Sequence, residues 1–129
     1  MQHFDTMPPD LKLASAIDRE CMAEMWEDAG AVLFLRMAEL FEIERLRSVA
    51  QIQIAMNGDD RKALAFAAHS LRGAAAYVCA AALRDLAMHL EHEAGSATPE
   101  RLRRLVVAIG AASDAAGPAL AAAIAGQTT

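Results

Sequence analysis

The sequence predicts an all-α chain: an up-down antiparallel four-helix bundle with an additional N-terminal helix packed at one end. Three observations carry that expectation. Hydrophobic residues make up 55% of the chain but aromatics only 5%, with alanine prevalent, and alanine is the best helix former while β-branched and aromatic residues favour strands. Apolar residues recur at intervals of three and four, the period of a helix with one buried face. The breaks between these stretches are short and hold Gly, Pro, Asn or Asp, which makes consecutive helices antiparallel neighbours. At 129 residues the chain is long enough to bury its own core. It shows no internal repeat and no linker, so residues 11–125 are expected to form one domain after an irregular stretch at 1–10.

The elements follow in order. Pro8-Pro9 resists helix and Asp10 is able to cap one. Leu13, Ile17, Cys21 and Met25 recur at helical spacing, predicting a first helix over 11–27 that stops near Gly30. The second, 31–56, is apolar almost all round in its first half (Val32, Leu33, Phe34, Leu35, Met37), so more than one neighbour is expected to cover it. Its wetter side is marked by Glu39, Glu42, Arg45 and Arg47. Asn57-Gly58 is a stop signal, and Asp59-Asp60 caps the third helix, 59–78, with negative charge at its positive end. The fourth, 80–94, carries Leu83, Leu86 and Leu90 on one face and stops at Gly95-Ser96. Thr98-Pro99 restarts the chain as N-cap and first helical residue, and a fifth helix buries Leu102, Leu105, Val106 and Ile109. Gly117-Pro118 is expected to break it, ending the regular part near 115.

Charge and cysteine usage exclude several classes. Net charge is −5 and no basic block is present, which argues against nucleic acid and anionic membrane surfaces as partners. Charges are read as interrupting every apolar run before the roughly 20 residues a span requires, and the N-terminus lacks the layout of a signal peptide. Cys21 and Cys79 have no metal-ligand spacing. Reduced, buried or half-buried thiols in a cytoplasmic protein are the expectation, with a disulfide as the minority alternative.

One stretch concentrates the chemistry: His69-Ser-Leu71-Arg72-Gly73-Ala-Ala75-Ala76-Tyr77-Val78. With about 100° per residue, Leu64, Ala67, Leu71, Ala74, Ala75 and Val78 fall opposite His69 and make a core stripe. Lys62, Ala65, Phe66, Arg72, Gly73 and Ala76 share the histidine's face. His69 therefore projects outward with a cation one turn away and small residues around it. Neutral imidazole is plentiful at cellular pH, and histidine is among the side chains that form covalent intermediates. Arg72 at i+3 is placed to stabilise phosphoryl oxygens. Gly73 costs about 1 kcal/mol of helix stability relative to alanine, which room for a partner's backbone would offset. The bland alternative is a surface histidine beside a packing glycine, and helix geometry alone does not reject it.

The run His69-Ser-Leu71-Arg72-Gly73-Ala-Ala75, followed by Leu83, Leu86, Leu90 and Glu91, resembles the histidine phosphotransfer (HPt) domains of two-component phosphorelays. Their pattern reads H-x-L-K-G-S-x, then a Gly-Ala near the next helix start, then spaced leucines ending in Leu-Glu. The resemblance spans roughly 30–115. It implies that His69 is a phosphoacceptor exchanging a phosphoryl group with the aspartate of response-regulator receiver domains, or taking it from a sensor histidine kinase. It implies no cofactor on this chain, with Mg²⁺ supplied by the receiver, and no autokinase activity, in keeping with the lack of a nucleotide-binding motif. Arg72 stands where the family has lysine, Ala74 where serine is frequent, and Cys79 where a glycine usually ends the helix. The apolar docking patch is expected around Phe66 and Tyr77, with Gly73, Ala65 and Ala76 as the close-approach surface and Lys62 at its edge.

Three further features have both a functional and a plain reading. Glu91 lies opposite His69 if helices three and four are antiparallel about residue 79, so it either orients the ring or is an ordinary surface carboxylate. His89, His92 and their flanking carboxylates are more simply a charged helix end than a metal site, since H-E-x-x-H spacing is absent. Arg101, Arg103 and Arg104 make a basic patch, more simply a solvated face. The competing functions are thus a non-phosphorylated helical docking or dimerisation module and, more weakly, a metal-binding bundle.

Overall fold

A computed structural model describes residues 7–12 and 14–128. It holds five helices and, among the described residues, no strand: α1 (Arg19–Ala29), α2 (Ala31–Asn57), α3 (Arg61–Tyr77), α4 (Ala81–Glu93) and α5 (Pro99–Thr128). Packing closes a ring, with α2 on α3, α3 on α4, α4 on α5 and α5 back on α2, while α1 lies against α2. The core is built from Phe34, Phe41, Ile52, Leu71, Leu83 and Ile109. Alanines at 67, 68, 75, 80, 82 and 87 fill much of what remains and bring α3 close to α4. Their minimal side chains let two backbones approach, and van der Waals contact is lost steeply with any gap.

α3 matches the wheel expectation. Leu64, Ala67, Leu71, Ala75 and Val78 are buried, and Ala74 is half-buried. Asp60 caps it by accepting from the Ala63 amide at 3.0 Å. The turn before it is made by Asp59 at φ +53, after Gly58 at φ −89, so the left-handed residue falls one place later than the Asn-Gly signal implies.

Five expectations are corrected. First, the helix expected from 11 begins at Arg19, capped by Asp18, whose carboxylate accepts from the Cys21 amide at 3.0 Å. The preceding residues follow a non-helical path because other groups take their backbone: Ser15 C=O accepts from the Ala82 amide at 3.0 Å and Asp18 N–H donates to Cys79 C=O at 2.8 Å. Leu13 and residues 1–6 lie outside the described residues.

Second, Cys21 and Cys79 form a disulfide, with Cα atoms 5.9 Å apart. Their 58-residue separation gave no spacing signal; the docking of α1 at the α3–α4 corner brings them together. Cys79 takes φ +58, the left-handed conformation that a glycine adopts without a Cβ penalty. The corner therefore keeps a glycine-like shape despite the cysteine.

Third, α2 does have more than one neighbour, α1, α3 and α5, but they leave part of its apolar surface open. Phe34, Phe41, Ser48, Ile52 and Ala55 form the inward stripe, whereas Val32 is 85% exposed and Leu33, Leu40, Ile43 and Leu46 are more than half exposed. Fourth, Arg45 is not on the wet side. It is 8% exposed and donates to Ser113 Oγ at 3.1 Å and to the carboxylate of Glu42.

Fifth, α5 passes through Gly117-Pro118 unbroken to Thr128. The Pro118 ring is exposed, so the missing amide bond falls on the solvent side. Gly117 faces α2: a Cβ there would sit 3.1 Å from Arg45 Nη2. Ser113, Ala116, Leu120 and Ala123 continue the buried stripe past the proline, and that burial outweighs the local cost. α5 is also long and apolar enough to cross a membrane by length and composition, contrary to the expectation from charge spacing, because Asp114 is its only charge after Arg104. Its apolar stripe is occupied here by α2 and α4.

Candidate functional site

The wheel of α3 places His69 outward, and its side chain is 60% exposed. α4 runs beside it closely enough for Glu91 to reach across: His69 Nδ1 stands 2.8 Å from Glu91 Oε2. A carboxylate only accepts, so the ring proton belongs on Nδ1, and Nε2 is left with its lone pair. Arg72 stands on the same side of the ring. Its Nε is 2.9 Å from Glu91 Oε1 and its Nη2 is 3.3 Å from His69 Nδ1. The protonated Nδ1 cannot also accept from Arg72, so that longer approach is proximity rather than a second hydrogen bond. Glu91 Oε1 is shielded from solvent and has no aligned donor, which makes its contact with Arg72 Nε chiefly one of charge. One carboxylate thus holds both the imidazole and the guanidinium.

Two concavities flank this triad. A groove of about 850 Å³ runs between α2 and α3, lined by Met37, Leu40 and Ile43 on one wall and Phe66, Gly73 and Tyr77 on the other. Phe66 and Tyr77 are 70% and 62% exposed, as a docking patch requires. The contribution of α2 to this face was missed in the sequence, because the apolar residues of α2 define no single face from which its exposed side could be read. A smaller pocket of about 230 Å³ lies beside the histidine, lined by His69, Arg72, Gly73, Ala76, Arg84 and Met88. Arg84 and Met88 were also missed, although the antiparallel register that pairs 69 with 91 brings them near 73 and 76. A Cβ on Gly73 would meet nothing within 4 Å, so no contact within this chain demands a glycine there. Ala76 and Lys62 are exposed and Ala65 half-buried; Lys62 and Ala65 line neither concavity.

Two of the remaining candidates, Arg101 and His89, have structural partners. Arg101 donates to both carboxylate oxygens of Glu93, at 2.8 and 3.0 Å, and to both oxygens of Asp10. It is a tie between the N-terminal segment, α4 and α5, not a solvated patch with Arg103 and Arg104. The guanidinium holds both carboxyls below their usual range, and the two carboxylates in turn push its own proton affinity up. His89 Nδ1 is 3.5 Å from the same Glu93. Among the described residues no group of three or more metal-ligating side chains converges.

A model of the Hpt domain matches residues 36–122, from the first turns of α2 into the last turns of α5. The chain belongs to the Hpt domain family. Membership carries histidine phosphotransfer within phosphorelays as its general role, and a helical bundle as its fold. Comparison with curated proteins and with solved structures found no match. His69, Arg72, Gly73 and Glu91 all lie inside the matched range, whereas α1 and Cys21 lie outside it. The Hpt core here thus has an added helix, fastened to it by the disulfide.

Proposed function

We propose that His69 is the phosphoacceptor of this Hpt domain and exchanges its phosphoryl group with the aspartate of response-regulator receiver domains, or receives it from a sensor histidine kinase. The single observation that carries the assignment is the His69–Glu91 contact, which leaves Nε2 unprotonated on an exposed ring. Nε2 attacks phosphorus as the P–O bond of the aspartyl phosphate breaks, and the aspartate leaves as a carboxylate. The Nδ1 proton stays on the ring, shared with Glu91, so the phosphorylated imidazole is cationic and remains a good leaving group for the onward step. The chain binds no cofactor for this; receiver Mg²⁺ offsets charge on the phosphoryl oxygens and positioning does the rest.

The groove between α2 and α3 is the receiver-docking surface in this reading, with Phe66 and Tyr77 as its aromatic wall and Gly73 and Ala76 permitting close approach. The closed ring of contacts and short connections support an up-down arrangement of α2 to α5, which leaves the histidine on an outer face. A cytoplasmic setting belongs to the same proposal, and there the Cys21–Cys79 pair would meet a reducing pool.

Incubation with a phosphorylated receiver domain and Mg²⁺ tests it. Acid-labile label is expected on the wild type and absent from His69→Gln, with unchanged circular dichroism. Receiver binding without transfer to the wild type would instead make the protein a docking module.

A further inference from the structure

We propose that Arg84 is a second phosphoryl-binding cation of the His69 site, lying over the small pocket and reaching the oxygens of a phosphoryl group on Nε2. The proposal rests on the phosphoacceptor reading of His69 and adds a residue that belongs to no motif. Arg72 is committed: its Nε contacts Glu91 Oε1 at 2.9 Å and its Nη2 lies 3.3 Å from Nδ1, so the guanidinium is held on the protonated side of the ring. The phosphoryl group would form at the other nitrogen. Arg84 lines the same pocket as His69, in the first turns of α4.

The Arg84 guanidinium is lightly held. Its contact is with Asp85, the next residue, at 3.3 Å, and both side chains are 40% exposed. Such a pair contributes little to stability and is given up at little cost. Gly73, Ala76 and Met88 supply apolar walls, which lower the local dielectric and strengthen a guanidinium–phosphoryl contact. Neither Asp85 nor Glu91 lines the pocket, so its rim carries two cations and no carboxylate. A phosphoryl dianion in it would draw on Arg84, the rim cation that Glu91 does not hold.

The test uses the intact protein and phosphoramidate, a small phosphoryl donor that needs no partner protein. Labelling of His69 should slow roughly tenfold in Arg84→Met, the size expected for one lost charge-assisted hydrogen bond, and recover largely in Arg84→Lys. The ³¹P resonance of the phosphohistidine should shift in Arg84→Met and return toward the wild-type position in Arg84→Lys, a readout that a change in helix stability alone would not move. Wild-type labelling rate and wild-type ³¹P shift in Arg84→Met would overturn the role of Arg84 while leaving His69 as the acceptor. Equal losses in the Met and Lys variants would also overturn it, since charge would then be irrelevant. Absence of label on wild-type His69 would remove the phosphoacceptor reading, and this inference with it.

Discussion

At His69 the decisive partner comes from another helix. Glu91 Oε2 accepts from Nδ1 while Oε1 faces Arg72, so one carboxylate sets both the ring's tautomer and the position of the cation. Glu91→Gln keeps the size and removes the charge. We expect phosphotransfer to fall about tenfold or more, the range typical when an orienting outer partner is lost, with the helix content unchanged; stopped-flow or gel transfer assays with a phosphorylated receiver measure it. Gly73→Ala isolates the surface in the opposite direction. A methyl at 73 has free space in this chain, so thermal stability should rise by up to about 1 kcal/mol. Transfer should slow all the same, because the methyl occupies the face a partner must approach. A Gly73→Ala variant that is both more stable and equally fast would show that the close-approach role is wrong.

Among the elements, α2 and α5 show why local patterns mislead. Arg45 reads as a solvent residue, yet it is buried between these helices on Ser113 and Glu42. Gly117 and Pro118 read as a break, yet the helix continues because its buried stripe runs on through Leu120 and Ala123, and the glycine leaves room for that guanidinium. Gly117→Ala should therefore destabilise in spite of alanine's higher helix propensity. Its Cβ would crowd Arg45 Nη2 at 3.1 Å, and a displaced buried guanidinium costs about 1–3 kcal/mol; urea denaturation of the pair reads the sign directly. The same mechanism explains the exposed face of α2. Its apolar residues outnumber the neighbours available to cover them, and Leu40 and Ile43 end beside Phe66 and Tyr77 as groove rather than core.

Over the described residues, two side-chain ties add to the backbone bonds of Ser15 and Asp18 in holding the N-terminal region to the Hpt core. The Cys21–Cys79 disulfide closes a 58-residue separation, for which the chain-entropy relation gives about 4 kcal/mol. Reduction should lower the melting temperature markedly, and Cys21→Ala should reproduce the loss and abolish the sensitivity to reductant. The Asp10–Arg101–Glu93 tie answers to acid instead. Both carboxyls are held below their ordinary values of 3.8 and 4.5, so their contribution is complete above those values and is lost as pH falls through the lowered ones. Stability should drop on acidification below about pH 4.5, and Arg101→Met should flatten that part of the profile while lowering stability at neutral pH; thermal melts across pH 2–7 check both.

The sequence alone determined the helices with a clear single face, the outward direction of His69, its Arg72 and Gly73 neighbours and the likeness to Hpt domains. These are consequences of helical period and short-range spacing, which act within a few residues. Even the opposition of 69 and 91 followed from one antiparallel turn. Only the tertiary structure decided the Cys21–Cys79 bond, the burial of Arg45, the survival of α5 through Pro118 and the presence of Arg84 beside the histidine. Each of these depends on where a second element comes to rest, and residues 58 or 68 positions apart carry no periodic signal of one another. The phosphotransfer face is therefore half legible: α3 announces the histidine, and the packing of α2 and α4 supplies the walls around it.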